Sequence, residues 1–466
     1  MMSTRVKDQL PTLLVAALAG TFGVALLHIT GLLGAAIAAD DITGGSATVA
    51  LMLGVVAMVF IVIAIYVSAI VTANTVSTVV AGRTRLIALL RLIGSSARTH
   101  RAQIAREGLL VGVAGAAIGI VLGTGVAFAL DEIAVANELM PATDYGYLNV
   151  WVVLPAVAVV VTTWLASWVG SRRVLRVRPI QAIGNSNEQD REELGRGRGR
   201  NVSAIVLSVL GLGMLVAGVI WGPANPVWML VAVLGGITSF TGIVLAANVV
   251  MPPALRLVGR LFGGSPAARL AAENAVRHPE RNSRMTIGLV IGVTLVTTFA
   301  VAIESYRAML VAAQQLRPEV YAGIDEMLNA TVAVFTVLIG FSALIAAIGM
   351  VNTLSLSVMQ RTRELGLLRA LGFDRRQLRR MIVVESAALT LVATAMGVVL
   401  GFAYGWAGAQ ALLGGAQGET TFVLPGIPWA LFGGLLVAAG VLTLVASIAP
   451  ARRAMRVSPV VALAVE

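Results

Sequence analysis

The chain is dominated by apolar stretches that are long enough to cross a lipid bilayer. A helix needs about 20 consecutive apolar residues to span the hydrocarbon core. Ten stretches of the sequence reach that length, namely 12–38, 49–73, 108–130, 150–170, 203–221, 226–250, 285–303, 329–356, 385–409 and 427–449. Because a backbone surrounded by lipid must satisfy its own hydrogen bonds, the sequence predicts an all-α integral membrane protein with about ten transmembrane helices.

The low content of charged residues supports this interpretation. Only 12% of the residues are charged and 58% are hydrophobic, whereas about a quarter of a soluble domain is charged. The net charge of +11 is due to arginine, since Lys7 is the only lysine. These arginines lie in short segments between apolar runs rather than on one soluble basic face, so we predict no nucleic-acid partner.

The distribution of arginine predicts which side of the membrane each connection faces. Cytoplasmic loops of membrane proteins carry an excess of arginine and lysine, and an even number of spans then places both termini in the cytoplasm. The first apolar run, 12–38, is longer than the apolar core of a signal peptide, which has about 7–15 residues, so we interpret it as a span. The arginine-rich segments, predicted to be cytoplasmic, are 83–106, 171–200, 256–284, 361–380 and 452–456.

The sequence contains an internal repeat. Residues 83–94 (RTRLIALLRLIG) align with residues 361–372 (RTRELGLLRALG), and the same gap-free register places Glu107 on Glu385. With a small shift, the arginine-rich tail that begins at Arg172 matches the one that begins at Arg452. Agreement at three places in the same order indicates two related halves.

The repeat predicts the domain organisation. We expect a first four-helix repeat over 1–184, a cytoplasmic linker over 185–202, an extra transmembrane hairpin over 203–264 and a second four-helix repeat over 265–466. This is a 4 + 2 + 4 arrangement with minimal extracytoplasmic domains. Because an even number of spans separates equivalent positions, the halves should be related by a pseudo-two-fold axis along the membrane normal.

The segment 361–380 is the most informative part of the sequence. Leu365, Leu368 and Leu371 recur at helical spacing among arginines, which predicts an amphipathic helix lying along the cytoplasmic membrane surface. Gly372 predicts the end of this helix, and Asp374 predicts the N-cap of the next one. Such a helix could simply anchor the loop to lipid, but two matching helices at equivalent places favour a docking surface.

The run RTRELGLLRALG over 361–372 resembles the signature of FtsX-like permeases, a branch of the ABC superfamily that includes MacB-type exporters and lipoprotein-release permeases. Residues 272–282 (AENAVRHPERN) are similar to the cytoplasmic helix that precedes the first span in that family. Residues 452–463 (RRAMRVSPVVAL) resemble the family's C-terminal tail. The resemblance covers the second half fully and the first half more loosely, and it implies a multi-pass protein of the bacterial cytoplasmic (inner) membrane.

The resemblance implies that the cytoplasmic helix of each half is a coupling helix that docks in a cleft of a partner ATPase. The first half departs from the pattern, because Leu86 stands where the second half has Glu364, and the first half lacks the cytoplasmic segment 269–284. The two contacts could therefore be unequal. The implied coupling residues are Arg363, Glu364, Leu367, Leu368 and Leu371 in the second half, and Arg85, Leu86, Leu89, Leu90 and Ile93 in the first.

The sequence predicts no nucleotide site in this chain. A P-loop requires a lysine that follows glycine and reaches the phosphates, whereas Lys7 is followed by Asp8 and has no glycine before it. We therefore expect ATP and magnesium to bind to a separate ABC ATPase, present in two copies for the two repeats. The chain has no cysteine and only three histidines, without the spacing of a zinc hydrolase, so we predict no catalytic, cofactor-binding or metal site.

Polar side chains within spans are candidates for function. Interhelical hydrogen bonding is the simpler interpretation for each of them, and His28 could alternatively bind haem iron. Glu107 and Glu385 open equivalent predicted spans, where they would favour the positive end of the helix dipole or pair with arginines. The intramembrane polar candidates are His28, Asn74, Asn248 and Asn352.

The predicted outer loops limit the kind of cargo. Residues 39–48 and 304–328 are too few to fold as independent domains, which usually need about 40 residues. We expect the substrate to enter from the membrane, as a lipid, lipopeptide, antimicrobial peptide or haem would, for export or extraction. The alternative is a non-transporting protein that relays ATPase strokes to a cell-envelope enzyme or sensor kinase. A channel or secondary carrier is disfavoured because the spans lack charged residues.

Overall fold

The computed structural model describes the chain as a set of long helices. The described residues are 2–38, short pieces between 58 and 77, 84–136, 146–147, 150–172, 198–225, 227–259, 279–316, 340, 343, 372, 374–414, 422 and 424–441. Over these ranges every regular element is helical, which confirms the predicted all-α class.

The chain divides into two compact units. The first unit contains Met1–Ser186 together with Pro318–Phe341, and the second contains Asn187–Arg317 together with Ser342–Glu466. Each unit is built around one long helix that contacts its neighbours through small residues. The domain boundaries proposed from the sequence stay a prediction.

The first unit contains four α-helices within its described part. They are α1 (Met2–Ala38), α2 (Thr84–Leu92), α3 (Ala97–Ala136) and α4 (Val153–Gly170), and a 3-10 turn (Val150–Val152) leads into α4. Helix α3 packs against both α1 and α4, and α1 also contacts α4. The central helix of the unit is therefore α3.

Glycines on α3 allow its two neighbours to approach closely. A Cβ atom on Gly119 would lie 2.6 Å from the backbone of Gly20 in α1, and a Cβ atom on Gly112 would lie 3.2 Å from Val160 in α4. Small residues at helix contacts gain van der Waals energy and stabilise association inside a membrane, where the hydrophobic effect between helices is absent. The glycine content of this span thus has a packing role.

The second unit contains five described helices. They are α5 (Arg198–Trp221), α6 (Val227–Gly259), α7 (Pro279–Leu316), α8 (Arg375–Leu413) and α9 (Trp429–Val441). A tight turn joins α5 to α6, and both helices pack against α8. Hydroxyl groups of Ser239 in α6 and Tyr404 in α8 lie 2.9 Å apart.

The packing of α7 against α8 repeats that of α1 against α3. A Cβ atom on Gly397 would lie 2.6 Å from the Cβ of Val293 in α7. Gly397 is the equivalent of Gly119 in the register that pairs Glu107 with Glu385. The internal repeat seen in the sequence is therefore also present in the contacts within each unit.

Seven described helices are long and apolar enough to cross a membrane. Among the other three predicted spans, 329–356 lies almost wholly outside the described residues, 49–73 is described only in short helical pieces, and 427–449 is described as far as Val441. The total of ten and the 4 + 2 + 4 arrangement therefore stay predictions. The seven are Thr12–Leu32, Ala97–Ala136, Val150–Gly170, Gly199–Trp221, Val227–Ala247, Thr286–Ala312 and Arg376–Leu412.

Several predicted boundaries were wrong because helices extend beyond their apolar cores. Residues 304–316, predicted as outer loop, continue α7 to Leu316. They include Ala308, Leu310 and Ala312, which favour helix irrespective of lipid. Likewise α3 starts at Ala97, well before the predicted span at 108–130. A hydropathy criterion locates the lipid-embedded part of a helix but not its polar extensions.

Candidate functional site

Helix α2 lies in the arginine-rich segment 83–106, which is predicted to be cytoplasmic. One apolar face of this helix packs against the rest of the first unit. Ile87 and Ala88 are buried with Val76 from the preceding segment. Ala97 and Ile104 of α3 pack against the same cluster. The adjacent apolar residues Ile87 and Ala88 thus join α2 both to the preceding segment and to α3.

A second apolar face of α2 is uncovered. Leu89 is 46% exposed, Leu92 is 50% exposed and Ile93 is 81% exposed. Positions separated by three and four residues lie on one side of a helix, so these three side chains form a continuous patch. We call Leu89, Leu92 and Ile93 the α2 patch. Such a surface on an arginine-rich segment is suited to a partner protein or to the membrane surface.

The end of α2 is closed by a well-defined turn. Gly94 has a φ of 99°, in the left-handed region that favours glycine. The N–H of Ser95 donates a hydrogen bond of 3.0 Å to the carbonyl oxygen of Leu90. This is the six-to-one bond of a Schellman motif. It fixes the direction in which the chain leaves the α2 patch.

The next helix starts at once with an N-cap. The N–H of Thr99 donates to the hydroxyl oxygen of Ser96 at 3.1 Å, and the two hydroxyls lie 2.8 Å apart. A side-chain oxygen at this position satisfies one of the free N–H groups of the first turn. Helix α2, the turn and α3 are thus linked through hydrogen-bonded backbone rather than through a loose loop.

The second repeat has the same junction. Gly372, the equivalent of Gly94, has a φ of 95°. The carboxylate of Asp374 accepts hydrogen bonds from the N–H groups of Arg376 at 2.6 Å and Gln377 at 2.7 Å. The side-chain oxygen of Gln377 accepts from the N–H of Asp374 at 3.0 Å, which completes a capping box. The predicted N-cap at Asp374 is confirmed.

The predicted coupling residues of the first half differ in how exposed they are in the structure. Leu89 and Ile93 lie on the exposed α2 patch, whereas Leu90 is half-buried and its carbonyl accepts the bond from Ser95. The sequence reasoning omitted Leu92, although its spacing of three residues from Leu89 could have identified it. The side chains of Arg85 and Leu86 are outside the described set.

The predicted coupling residues of the second half all fall outside the described residues, and their role stays a prediction. Two features that follow them match the first half, namely the positive φ of Gly372 and the N-cap at Asp374. These residues are Arg363, Glu364, Leu367, Leu368 and Leu371.

Glu107 lies inside a helix rather than at its start. Helix α3 begins ten residues earlier at Ala97, so a favourable interaction with the helix dipole is excluded, because that effect is confined to the first turn. The carboxylate of Glu107 instead accepts from the side-chain amides of Gln9 in α1 at 2.8 Å and Gln103 at 3.1 Å. The equivalent Glu385 lies inside α8 and is buried.

Among the polar candidates, His28 is the one whose side chain the structure describes. Its side chain is fully buried in α1, and its Nε2 lies 3.2 Å from the hydroxyl oxygen of Thr124 in α3. The Tyr147 ring is 5.6 Å away, and the Tyr147 hydroxyl donates to Asp131 at 2.6 Å. This is an interhelical contact near the end of the unit opposite α2.

The structure does not describe the side chains of the remaining polar candidates. Asn248 lies in α6, but its side chain is outside the described set, and Asn74 and Asn352 are outside it altogether. Over the ranges that the structure covers, no three His, Asp or Glu side chains converge where a metal ion could bind.

Taken together, seven apolar membrane-length helices and a repeated helical junction define a multi-pass membrane protein with an internally duplicated architecture. The family model of the FtsX-like permease C-terminal domain matches residues 58–179 and again 336–459, together more than half of the chain. The chain therefore belongs to the FtsX-like permease family of ABC transporters. Two matches confirm the two repeats, and neither match includes α5 or α6.

Curated relatives are ABC transporter permeases. The uncharacterized ABC transporter permease YknZ of Bacillus subtilis is 28% identical over 148 residues, which cover 32% of this chain and 35% of that protein. The macrolide export ATP-binding/permease protein MacB of Wolinella succinogenes is 34% identical over 149 residues, which cover 31% of this chain and 22% of MacB. The matched segment thus spans about a fifth to a third of the length of these relatives.

Proposed function

We propose that the chain is a permease subunit that couples ATP hydrolysis in a separate ATPase to export or extraction of an amphiphilic substrate. The observation that carries the proposal is the exposed α2 patch, which is followed directly by a Schellman turn and by an N-capped helix of membrane-spanning length. An apolar surface of this kind can fill a cleft in a partner protein. From the alignment of the two repeats, we assign the equivalent surface of the second repeat to residues 361–371.

The connection from α2 to α3 suits the transmission of force. Ile104 of α3 packs on the buried face of α2, and the whole of α3, from Ala97 to Ala136, has 40 residues. At a rise of 1.5 Å per residue, α3 is about 60 Å long. A displacement of α2 by a closing ATPase would therefore be conveyed by a single element to the opposite end of the unit.

Nucleotide binding is assigned to the partner. Lys7 is the only lysine and has no P-loop context. The MacB relative is named as both ATP-binding and permease, and the match covers only 22% of it. We place ATP and magnesium in a separate chain, with one ATPase copy for each repeat.

Co-purification with the ATPase tests the docking proposal. Ile93→Asp puts a carboxylate on the α2 patch and should reduce recovery of a co-expressed ABC ATPase to about one copy per permease instead of two, while the permease stays monodisperse in detergent. Ala102→Asp is the matched control, because Ala102 is exposed on the first turns of α3 but lies off the patch. Unchanged recovery with Ile93→Asp would sink the proposal.

The substrate class is proposed from the surfaces available to cargo. The outer connection between α3 and α4 has few residues, from 137 to 149, so a substrate meets helices rather than a folded receptor domain. Lipids, lipopeptides, antimicrobial peptides and haem have the required amphiphilic character. Proteoliposomes containing the permease and its ATPase should show ATPase stimulation by such compounds. Stimulation by water-soluble solutes alone would contradict this class.

A second candidate function is mechanical signalling to an envelope enzyme or sensor kinase. It is favoured by an exposed apolar group in the segment that leads into α9, where Phe422 packs on Trp406 with ring centroids 5.6 Å apart and Leu424 and Trp429 are exposed. Recovery of a hydrolase or sensor kinase with the permease, without any substrate-stimulated ATPase activity, would favour this function over transport.

A further inference from the structure

Two arginines surround one tryptophan where α3 meets the end of α4. The guanidinium carbon of Arg101 lies 3.9 Å from the ring centroid of Trp168, and that of Arg172 lies 5.6 Å from it. Arg101 also donates from Nε and Nη2 to the carbonyl oxygen of Trp168, at 3.3 and 3.2 Å. We call Arg101, Trp168 and Arg172 the Arg–Trp cluster.

Part of the Arg–Trp cluster has a structural role. The Trp168 carbonyl belongs to the last turn of α4 and also accepts from the hydroxyl of Ser171 at 2.9 Å. Arg101 therefore caps the C-terminus of α4, where a cation is favourable. This role does not account for Arg172, which is exposed, nor for the indole, which is 41% exposed.

The structure shows no carboxylate paired with the cluster among the side chains that it describes. Neither Arg101 nor Arg172 forms an ion pair with a carboxylate in the part of the chain that the structure describes. The first acid of α3 is Glu107, and Gln9 and Gln103 already donate to its carboxylate. The guanidinium group of Arg172 and the Nη1 group of Arg101 thus remain available to an external anion.

The position of the cluster indicates the source of that anion. Trp168 precedes the end of α4 at Gly170, and tryptophan favours the membrane–water interface. In the proposed topology this end of α4 faces the cytoplasm, where the leaflet contains anionic phospholipids that attract arginines next to a span. Guanidinium groups match the planar, two-oxygen geometry of a phosphodiester.

We propose that the Arg–Trp cluster binds the phosphodiester headgroup of an anionic phospholipid from the cytoplasmic leaflet. The inference rests on the proposed topology of the chain. Arg172 supplies the exposed donors, Arg101 supplies its remaining Nη1 group and its charge, and the indole lies against the glycerol and upper acyl chain.

The site belongs to the first repeat alone. The equivalent of Arg101 is Arg379 in the register that pairs Glu107 with Glu385, but the alignment of the arginine tails places Ile448 where the first repeat has Trp168. Without an indole, the second repeat lacks the surface against which two guanidinium groups are held. This difference supplies a matched control.

Lipid at this site would lie next to the α2 docking helix. A Cβ atom on Gly170 would approach the carbonyl oxygen of Ala73 to 2.7 Å, so the end of α4 packs tightly on the segment that carries Val76. Val76 is also part of the cluster that holds Ile87 and Ala88 of α2. An occupied site would therefore restrain the base of α2.

Fluorescence quenching by brominated phospholipids tests the proposal. The full chain is reconstituted in phosphatidylcholine vesicles that contain rising fractions of brominated phosphatidylglycerol or brominated phosphatidylcholine. The difference between the wild-type protein and Trp168→Phe isolates the Trp168 signal. We expect half-quenching at about a fivefold lower fraction of brominated phosphatidylglycerol, the preference that one or two interfacial arginines provide. Equal quenching by the two lipids would overturn the proposal.

Three further arms make the test specific. Arg172→Gln, which leaves the Arg101 contact with α4 intact, should abolish the preference, whereas Arg379→Gln in the second repeat should retain it. A preference that survives Arg172→Gln overturns the site. Loss of the preference on adding inorganic phosphate, but not sodium chloride of equal ionic strength, would reassign the cluster to a soluble anion and overturn a lipid site.

The assay is independent of the proposed function. It involves no ATPase, and brominated lipid is present in both leaflets, so a negative result counts against the lipid site without touching the permease function. A positive result stands even if the ATPase docks elsewhere.

Discussion

At the scale of single residues, Gly94 sets the geometry of the junction between α2 and α3. Its φ of 99° is costly for residues with a Cβ, although a Cβ there would contact nothing within 4 Å. Gly94→Ala should therefore lower stability by about 1–2 kcal/mol through backbone strain alone. The thermal unfolding midpoint in detergent measures this loss. Gly125→Ala, at an α-helical glycine that also lacks neighbours, should not lower the midpoint.

Asp374 stabilises the start of α8 through its capping box. Its carboxylate accepts two backbone N–H groups, from Arg376 and Gln377. Asp374→Ala should lower the free energy of unfolding by about 1 kcal/mol, whereas Asp374→Ser, which keeps a capping oxygen, should recover most of it. Thermal melts of the two variants check the prediction. Equal loss in both would show that the carboxylate acts through charge rather than as a cap.

Residues whose role is local could be predicted from the sequence. Gly372 and Asp374 were identifiable because caps and turns depend on a few adjacent residues. The Arg–Trp cluster could not be predicted, since Arg101 and Trp168 are far apart in sequence and meet only because glycines bring α3 against α4. At the position of Leu92 the repeats differ, since the second repeat has Ala370 there, so the shared pattern does not mark this position as apolar contact surface.

At the scale of elements, the glycine faces of α3 and α8 determine how closely the helices of each unit pack. A Cβ on Gly119 would lie 2.6 Å from backbone atoms of Gly20, which cannot move aside as a flexible side chain can. Gly119→Ala should therefore separate α1 from α3 at a cost of about 1–3 kcal/mol. Gly397→Ala should also be destabilising, because its new Cβ would lie 2.6 Å from the Cβ of Val293.

Thermal unfolding of the detergent-solubilised protein measures this effect. Gly408→Ala is the matched control for Gly397→Ala, since it lies on the same helix with open space around it. Alanine there should be neutral or raise the midpoint because glycine is a weak helix former. If Gly119→Ala and Gly408→Ala behaved alike, the close approach of α1 and α3 would be refuted.

Hydropathy predicted the membrane-embedded part of most elements but not their ends. The physical reason is that a lipid-embedded span ends where the sequence becomes polar, whereas a helix continues as long as its residues favour helical backbone. Helices α3, α7 and α8 continue into polar sequence because alanine, leucine and arginine favour helix outside the bilayer as well. In the first unit such continuity matters for the proposed function, since α3 connects the α2 contact at Ile104 to the opposite end of the unit.

At the scale of the whole molecule, the two repeats share a framework but differ in specialised positions. The first repeat has Trp168 at the end of α4, and the second has Ile448 at the aligned position. Glu364 in the second half corresponds to Leu86 in the first. These differences predict that the two ATPase copies bind with unequal affinity.

Native mass spectrometry of the permease with its ATPase checks this prediction. The wild-type complex should contain two ATPase copies, and Ile93→Asp should leave one copy bound at the second repeat. Leu371→Asp, the equivalent substitution in the second half, should leave the other copy. Loss of both copies from either single variant would show that the two sites bind cooperatively rather than independently.

The arginine bias of the loops predicts a complete orientation, and the absence of native cysteine allows it to be tested directly. Single cysteines introduced by Ala102→Cys and Gly146→Cys lie on opposite sides of the predicted span 108–130, and both positions are exposed. A membrane-impermeant maleimide should label Gly146→Cys in intact cells but label Ala102→Cys only after permeabilisation. Asn225→Cys, in the turn between α5 and α6, should behave like Gly146→Cys. The reverse pattern would place α2 outside the cell, where no ATP-hydrolysing partner could reach it, and would overturn the proposed coupling.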